Sequence, residues 1–145
     1  MTSLAELDPR EAAERLMAEQ ADATWLSTFA AELDRRLTGE QLRRVVSLWQ
    51  LSRSELGRLF GVSRQAVTKW LNEGLPAERV QEVAHLAAIS DLLVRYLKRD
   101  RISAVVRRPA ANLSGRSLLD LVAEGRTTEA LEVTRLMFTF DDLHA

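Results

Sequence analysis

The stretch Ser52-Arg53-Ser54-Glu55-Leu56-Gly57-Arg58-Leu59-Phe60-Gly61-Val62-Ser63-Arg64-Gln65-Ala66-Val67-Thr68-Lys69-Trp70-Leu71 constrains this chain more than any other. Two short segments of helical period are separated by Gly61-Val62, and each opens on a serine. Ser52 with Glu55 three residues later is a capping box, and Ser63 is an N-cap. Leu56, Leu59 and Phe60 form the inner face of the first helix, and Val67, Trp70 and Leu71 form the back of the second. Gly57 permits a close crossing, Gly61 takes the positive φ of a tight turn, and Val62 packs inward. The pattern is a helix-turn-helix, whose second helix enters the DNA major groove.

That assignment leaves Arg64, Gln65, Thr68, Lys69 and Asn72 facing outward. Arginine can donate twice to guanine O6/N7, glutamine pairs with adenine N6/N7, and a threonine can meet a thymine methyl. Arg53, Ser54 and Lys69 are placed for phosphate, which positions a protein without reading sequence. Ser63 stands at the helix start beside them, and Asn72 suits either role. No acidic residue lies between Arg58 and Asn72. On a bundle that binds no DNA, these residues would simply be solvated.

The formal net charge of −1 hides a segregated pattern. Residues 1–34 hold eight acids and two bases, and residues 35–72 hold eight bases and two acids. Residues 95–108 hold six bases and one acid. For a polyanionic partner, local excess matters more than the sum. Arg95, Lys98, Arg99 and Arg101 read equally well as a phosphate contact or as the solvated end of a helix.

The fold class expected is all-α: a helix-turn-helix bundle with a small C-terminal helical subdomain. Nearly every segment has helical period, and alternating runs with turn dipeptides are missing. Asp8-Pro9-Arg10-Glu11 opens a helix expected to reach about Leu37, with Arg35 and Arg36 in its last turn. Leu16, Ala23, Ala30 and Leu37 recur every seven residues, with Leu26 and Leu33 between them. This stripe faces either a core or a second copy; the interruption at Glu19 favours the core. Thr38-Gly39-Glu40-Gln41 is expected to start the next helix, with Leu42, Val45, Val46 and Trp49 inward. Pro76 is expected to open a helix reaching about Arg99, packed through Val80, Val83, Ala84, Ala87, Leu92, Leu93 and Tyr96. Pro109 and Asn112-Leu113-Ser114-Gly115 break the pattern. A short helix then runs from Ser117 to about Ala123 and stops at Gly125, and Thr127 or Thr128 caps a last helix through about Met137. The expected divisions are 1–37, an N-terminal helix; 38–100, the helix-turn-helix domain; and 101–145, the C-terminal subdomain.

Other chemistries find little support. The 145 residues include no Cys, which removes disulfides and thiolate metal sites. His85 has no ligand partner at i±4 and His144 is near the end, so no metal site is expected. No G-x-S-x-G occurs, and Gly115-Arg116-Ser117 lacks phosphate-loop spacing. Neither a catalytic activity nor a cofactor is expected. Residues 1–6 lack the basic and apolar regions of a secretory leader, and no apolar run is long enough to span a membrane, so a cytoplasmic protein is expected.

Residues 42–100 resemble the Xre-like helix-turn-helix antitoxins. Val106-Arg107-Arg108-Pro109-Ala110-Ala111-Asn112-Leu113-Ser114-Gly115-Arg116-Ser117-Leu118-Leu119-Asp120-Leu121-Val122-Ala123-Glu124-Gly125 is similar to the toxin-binding domain of the MbcA/ParS/Xre family. The family has a Pro-Asn-rich turn, Leu-x-Gly-Arg-Ser-Pro, Leu-x-x-Leu, a Gly and a final helix. Here Leu118 replaces the family's Pro, and the turn is Pro-Ala-Ala-Asn. The resemblance implies a type II antitoxin that neutralises a RES-domain, NAD-consuming toxin and autorepresses its operon on double-stranded operator DNA as a homodimer. Arg116 and the tail aromatics Phe138 and Phe140 are its candidate toxin contacts; the two aromatics read equally as late core packing. The alternatives are a free-standing helix-turn-helix repressor with a C-terminal dimerisation domain, and an adaptor whose motif packs on protein.

Overall fold

A computed structural model describes residues 3–19 and 22–144, with backbone alone for 140–144. Among these residues the chain is all-α, without a strand. It divides into two compact units, residues 1–35 and 36–145.

In the first unit, α1 spans Pro9–Glu19 and the next helix, α2, begins at Ala23. The single long helix expected from Asp8 to Leu37 is therefore two. Asp8 Oδ1 accepts the Glu11 N–H at 3.0 Å, as an N-cap should. Asp22 provides the second cap, its Oδ1 accepting the Thr24 N–H at 2.9 Å. Gln20 and Ala21 lie outside the described residues. No described residue of this unit is buried, so the heptad stripe does not face a core there. The one short helix and the start of α2 that make up this unit enclose no interior, and Leu33 stays 46 % exposed. Trp25 and Phe29, one turn apart, stack with ring centroids 5.2 Å apart.

Helix α2 continues to Trp49, so no helix starts at Thr38. Gly39 is buried inside α2, where a Cβ would stand 3.3 Å from the Trp70 carbonyl oxygen. Thr38 does accept a backbone N–H through Oγ1, but from Leu75 at 3.1 Å, in a distant segment. Leu42, Val45, Leu48 and Trp49 line the buried face, while Val46 is only partly buried.

The second unit adds α3 (Arg53–Phe60), α4 (Arg64–Glu73), α5 (Val80–Tyr96), α6 (Arg99–Arg107), α7 (Leu118–Ala123) and α8 (Thr127–His144). Pro76 precedes a 3-10 turn at Ala77–Arg79, and only then does α5 begin. The expected helix from Pro76 to Arg99 breaks at Leu97-Lys98 because Leu97 is extended, at ψ 152°. Arg99 therefore opens a new helix, α6, instead of closing the old one. Val80 and Ala84 turn to solvent, and the buried face of α5 is Val83, Leu86, Ile89, Ser90 and Leu93.

Helix α5 packs chiefly on α8, α3 lies between α4 and α7, and α7 also touches α6 and α8. Ile102 and Val106 of α6, Leu118, Leu121 and Val122 of α7, and Ala130, Leu131 and Phe138 of α8 complete one core. Each large side chain removed from water here contributes about 1.5–3 kcal/mol. The buried Trp49 indole donates to Ser90 Oγ at 3.0 Å, and Ser90 donates to the Leu86 carbonyl at 2.8 Å. Thr127 does not cap α8. It is buried, and its hydroxyl meets His85 Nδ1 at 2.9 Å. Helix α8 runs one to two turns beyond Met137.

Candidate nucleic-acid interface

The helix-turn-helix forms because its local signals agree. Ser52 Oγ accepts the Glu55 N–H at 3.1 Å, and Glu55 accepts the Ser52 N–H at 3.2 Å. Gly61 closes α3 in the left-handed region at φ 66°, where a side chain would be strained. A Cβ on Gly57 would lie 2.8 Å from the Val62 carbonyl oxygen, so this glycine seats the turn itself. The Val62 N–H returns to the Gly57 carbonyl at 2.9 Å. Ser63 Oγ then accepts the Ala66 N–H at 3.1 Å and starts α4. Phe60 and Trp70 meet edge to face at 5.7 Å, joining the two helices from within.

Helix α4 therefore has a fixed back and a free front. Val67, Trp70 and Leu71 are buried, whereas Arg64, Gln65, Lys69 and Asn72 are exposed and Thr68 is half-buried. Positions 64, 65, 68 and 69 share one helical face. The structure adds restraints within this set. Arg53 Nη1 donates to Thr68 Oγ1 at 2.8 Å, and Thr68 donates to the Arg64 carbonyl at 3.0 Å. The Thr68 hydroxyl is thus engaged, and Arg53 lies against the α4 face. Ser54 is exposed in the first turn of α3, and Ser63 is exposed but occupied as a cap.

Two arginines that no sequence motif singles out hold this assembly. Arg43 of α2 donates through Nε to the Leu71 carbonyl at 2.8 Å and through Nη2 to Asn72 Oδ1 at 3.0 Å. It satisfies the end of α4 and ties Asn72 down. Arg79 donates to the Phe60 carbonyl at 3.2 Å and lies over both Phe60 and Trp70, 5.8 and 5.7 Å from their centroids. Both contacts join residues 19 or more positions apart. The only hint in the sequence is the surplus of bases in 35–72, which includes Arg43 and stops short of Arg79.

The C-terminal candidates lie elsewhere. Ala110 and Arg116 bridge across the turn, with the Ala110 N–H on the Arg116 carbonyl at 3.0 Å. Ser117 caps α7 in a box with Asp120. Arg116 Nε meets Glu124 Oε1 at 2.6 Å, Glu124 also takes Arg126 at 2.9 Å, and Arg126 grips Glu129 at 2.6 Å. These bonds, from Arg116 first and Arg126 second, hold the Glu124 carboxyl below its ordinary range. Phe138 is buried and stacks on Tyr96, centroids 4.4 Å apart and planes 8° apart. Its ring packs α8 on α5. The side chain of Phe140 lies outside the described residues, while Leu136 and Met137 on the same helix are exposed.

Among the described residues no cluster of His, Asp or Glu has the makings of a metal site, and no helix is long and apolar enough to cross a membrane. No protein-family model and no curated protein sequence matches the chain. A solved structure does: a chain of the M. tuberculosis MbcT-MbcA toxin-antitoxin complex, at 24 % identity and a TM-score of 0.57. The match covers 68 % of this chain and 91 % of that one, and establishes a shared fold.

Proposed function

We propose that this chain is an antitoxin of a type II toxin-antitoxin pair that also represses its own operon. One observation carries the reading: a fold shared with a chain of a toxin-antitoxin complex presents, on α4, an exposed face of Arg64, Gln65 and Lys69. The likeness of residues 106–125 to the MbcA/ParS/Xre toxin-binding motif points the same way.

In this reading residues 38–100 bind operator DNA. Arg64 and Gln65 meet base edges, Thr68 turns its methyl to a thymine, and Lys69, Arg53, Ser54 and Ser63 meet phosphate. Asn72, held by Arg43, sets the far end of the helix. A homodimer brings two copies of α4 to half-sites about 34–36 Å apart. Residues 101–145 cover the active site of a RES-domain, NAD-consuming toxin. Arg116 and the end of α8 with Phe140 form that contact, and Phe138 acts from behind by fixing α8. The chain itself performs no chemistry and needs no cofactor, and its work on DNA places it in the cytoplasm.

The test is co-expression with the product of the neighbouring gene. Growth rescue and a complex stable through gel filtration are expected. A chain that binds upstream DNA yet neither rescues growth nor binds that product is instead a free-standing repressor.

A further inference from the structure

The cations of the second unit divide sharply by what they hold. Arg43, Arg79, Arg107 and Arg126 each grip a carbonyl or a carboxylate. Lys98, Arg99, Arg101 and Arg108, at the two ends of α6, are exposed, and none has an ion-pair partner among the described residues. Arg95 joins them from the last turn of α5, its guanidinium 5.4 Å from the Tyr96 ring centroid.

This arrangement does not serve the fold. Lys98 at the N-cap and Arg99 and Arg101 in the first turn of α6 surround a single acid, Asp100, at the positive end of the helix dipole, where cations are disfavoured. It is also unlike a protein-binding patch, which centres on apolar or aromatic side chains with charge at its rim. The exposed apolar side chains toward it, Val94 at 42 % and, next to the Phe138 ring that stacks on Tyr96, Leu136 and Met137, belong to α5 and α8 and not to α6. A surface of unpaired arginine and lysine without an apolar centre suits a polyanion.

Its position suits duplex DNA in particular. At the far end of α6, Arg107 donates to the Trp49 and Gln50 carbonyls at 2.6 and 3.0 Å and to Glu55 Oε2 at 3.1 Å. Glu55 is two residues from Arg53, which lies against α4. The nine residues of α6 span roughly 13 Å at about 1.5 Å each. The cluster thus stands one short helix from the entrance of the reading motif, in the same compact unit.

We infer that the α5–α6 corner is a second contact surface for duplex DNA, gripping the phosphate backbone by charge and without regard to sequence. The inference rests on the DNA-reading function proposed above. Its test is the full-length triple variant Lys98→Ala, Arg99→Ala, Arg101→Ala, with thermal melting to show that the fold persists. Binding is followed by fluorescence anisotropy across a salt series. One duplex comes from upstream of the chain's own coding region, and the other is a scrambled duplex of equal length. The variant is expected to lose affinity for both duplexes by the same factor. Its slope of log affinity against log salt should shrink by about 2–3, near 0.9 per lost phosphate contact. Wild-type affinity and slope on both duplexes would overturn the inference, and if binding to the neighbouring gene product weakened instead, the corner would belong to a protein partner. If the unmodified chain shows no salt-dependent duplex affinity, the parent reading falls and this one with it. An Arg64→Ala, Gln65→Ala variant separates the two surfaces, because it should lose discrimination while nearly keeping the slope.

Discussion

Arg107 Nη2 donates to Glu55 Oε2 at 3.1 Å, and this bond closes the seam between α6 and the start of the helix-turn-helix. The same guanidinium satisfies the carbonyl of Trp49 at the end of α2 and that of Gln50 just beyond it, whose backbone stands at φ 53°. Arg107→Ala strips several partly buried acceptors at once. We expect a loss of about 2 kcal/mol, since hydrogen bonds to charged groups contribute about 1.5–3 each. For a chain of this size that is a melting temperature lower by about 4–8 °C. An unchanged melting curve would make the contact ornamental.

The same carboxylate should set part of the acid limb of stability. The Ser52 backbone N–H, chiefly, holds Glu55 below its ordinary value of 4.5; burial opposes it, and the Arg107 guanidinium lowers it further. Glu124 is lowered by Arg116 and Arg126. A carboxylate depressed by folding adds stability above its unfolded pKa and loses it as pH falls through the folded one. The melting temperature should therefore hold from pH 7 to about 5 and decline below about 4.5. Glu55→Gln with Glu124→Gln should flatten that decline. An equally steep fall in the double variant would assign it to other carboxylates.

Two glycines of one turn should differ in kind. Gly57→Ala drives a methyl to 2.8 Å from the Val62 carbonyl, which is backbone and cannot step aside. Overpacking of this sort costs about 1–3 kcal/mol. Gly61→Ala meets open space and suffers from the left-handed backbone alone, about 1–2 kcal/mol. Urea midpoints should rank Gly57→Ala below Gly61→Ala, and the reverse order would misplace the crossing.

This turn is also the most legible part of the chain. Ser52, Glu55, Gly61 and Ser63 act within four residues of themselves, so local chemistry alone locates α3 and α4. Elsewhere the same signals mislead. Thr38-Gly39 has the look of a helix start, yet the glycine serves a neighbour more than thirty residues away, so α2 runs on. Leu97 ends α5 with no Gly or Pro to announce it. Arg43 and Arg79, which hold the candidate interface, act through contacts that no spacing rule encodes. Phe138 reads two ways in the sequence, and only the packing of α8 on α5 places its ring.

The reading surface can be tested apart from the fold. Arg64→Ala with Gln65→Ala removes two exposed side chains, so stability should move by less than about 0.5 kcal/mol each. Preference for the operator over scrambled DNA should fall by about 10-fold or more, as loss of a bidentate base contact implies. Retained preference in competition binding would move sequence reading off α4.

Phe138→Ala should cost about 3–5 kcal/mol, the usual range for a core phenylalanine. The Tyr96 ring loses its stacked partner, and amide exchange should quicken first along α8. A variant as stable as its parent would show that α8 is held by other means.

The fork of Arg43 on Leu71 and Asn72 gives α4 the character of a key cut on a rigid shank. Its far end is braced from α2, outside the motif, and its back is fixed by buried side chains, so residues 64, 65 and 69 can be exchanged without altering posture. A lineage of such chains can change its binding site tooth by tooth while the lock face it offers the groove keeps one attitude.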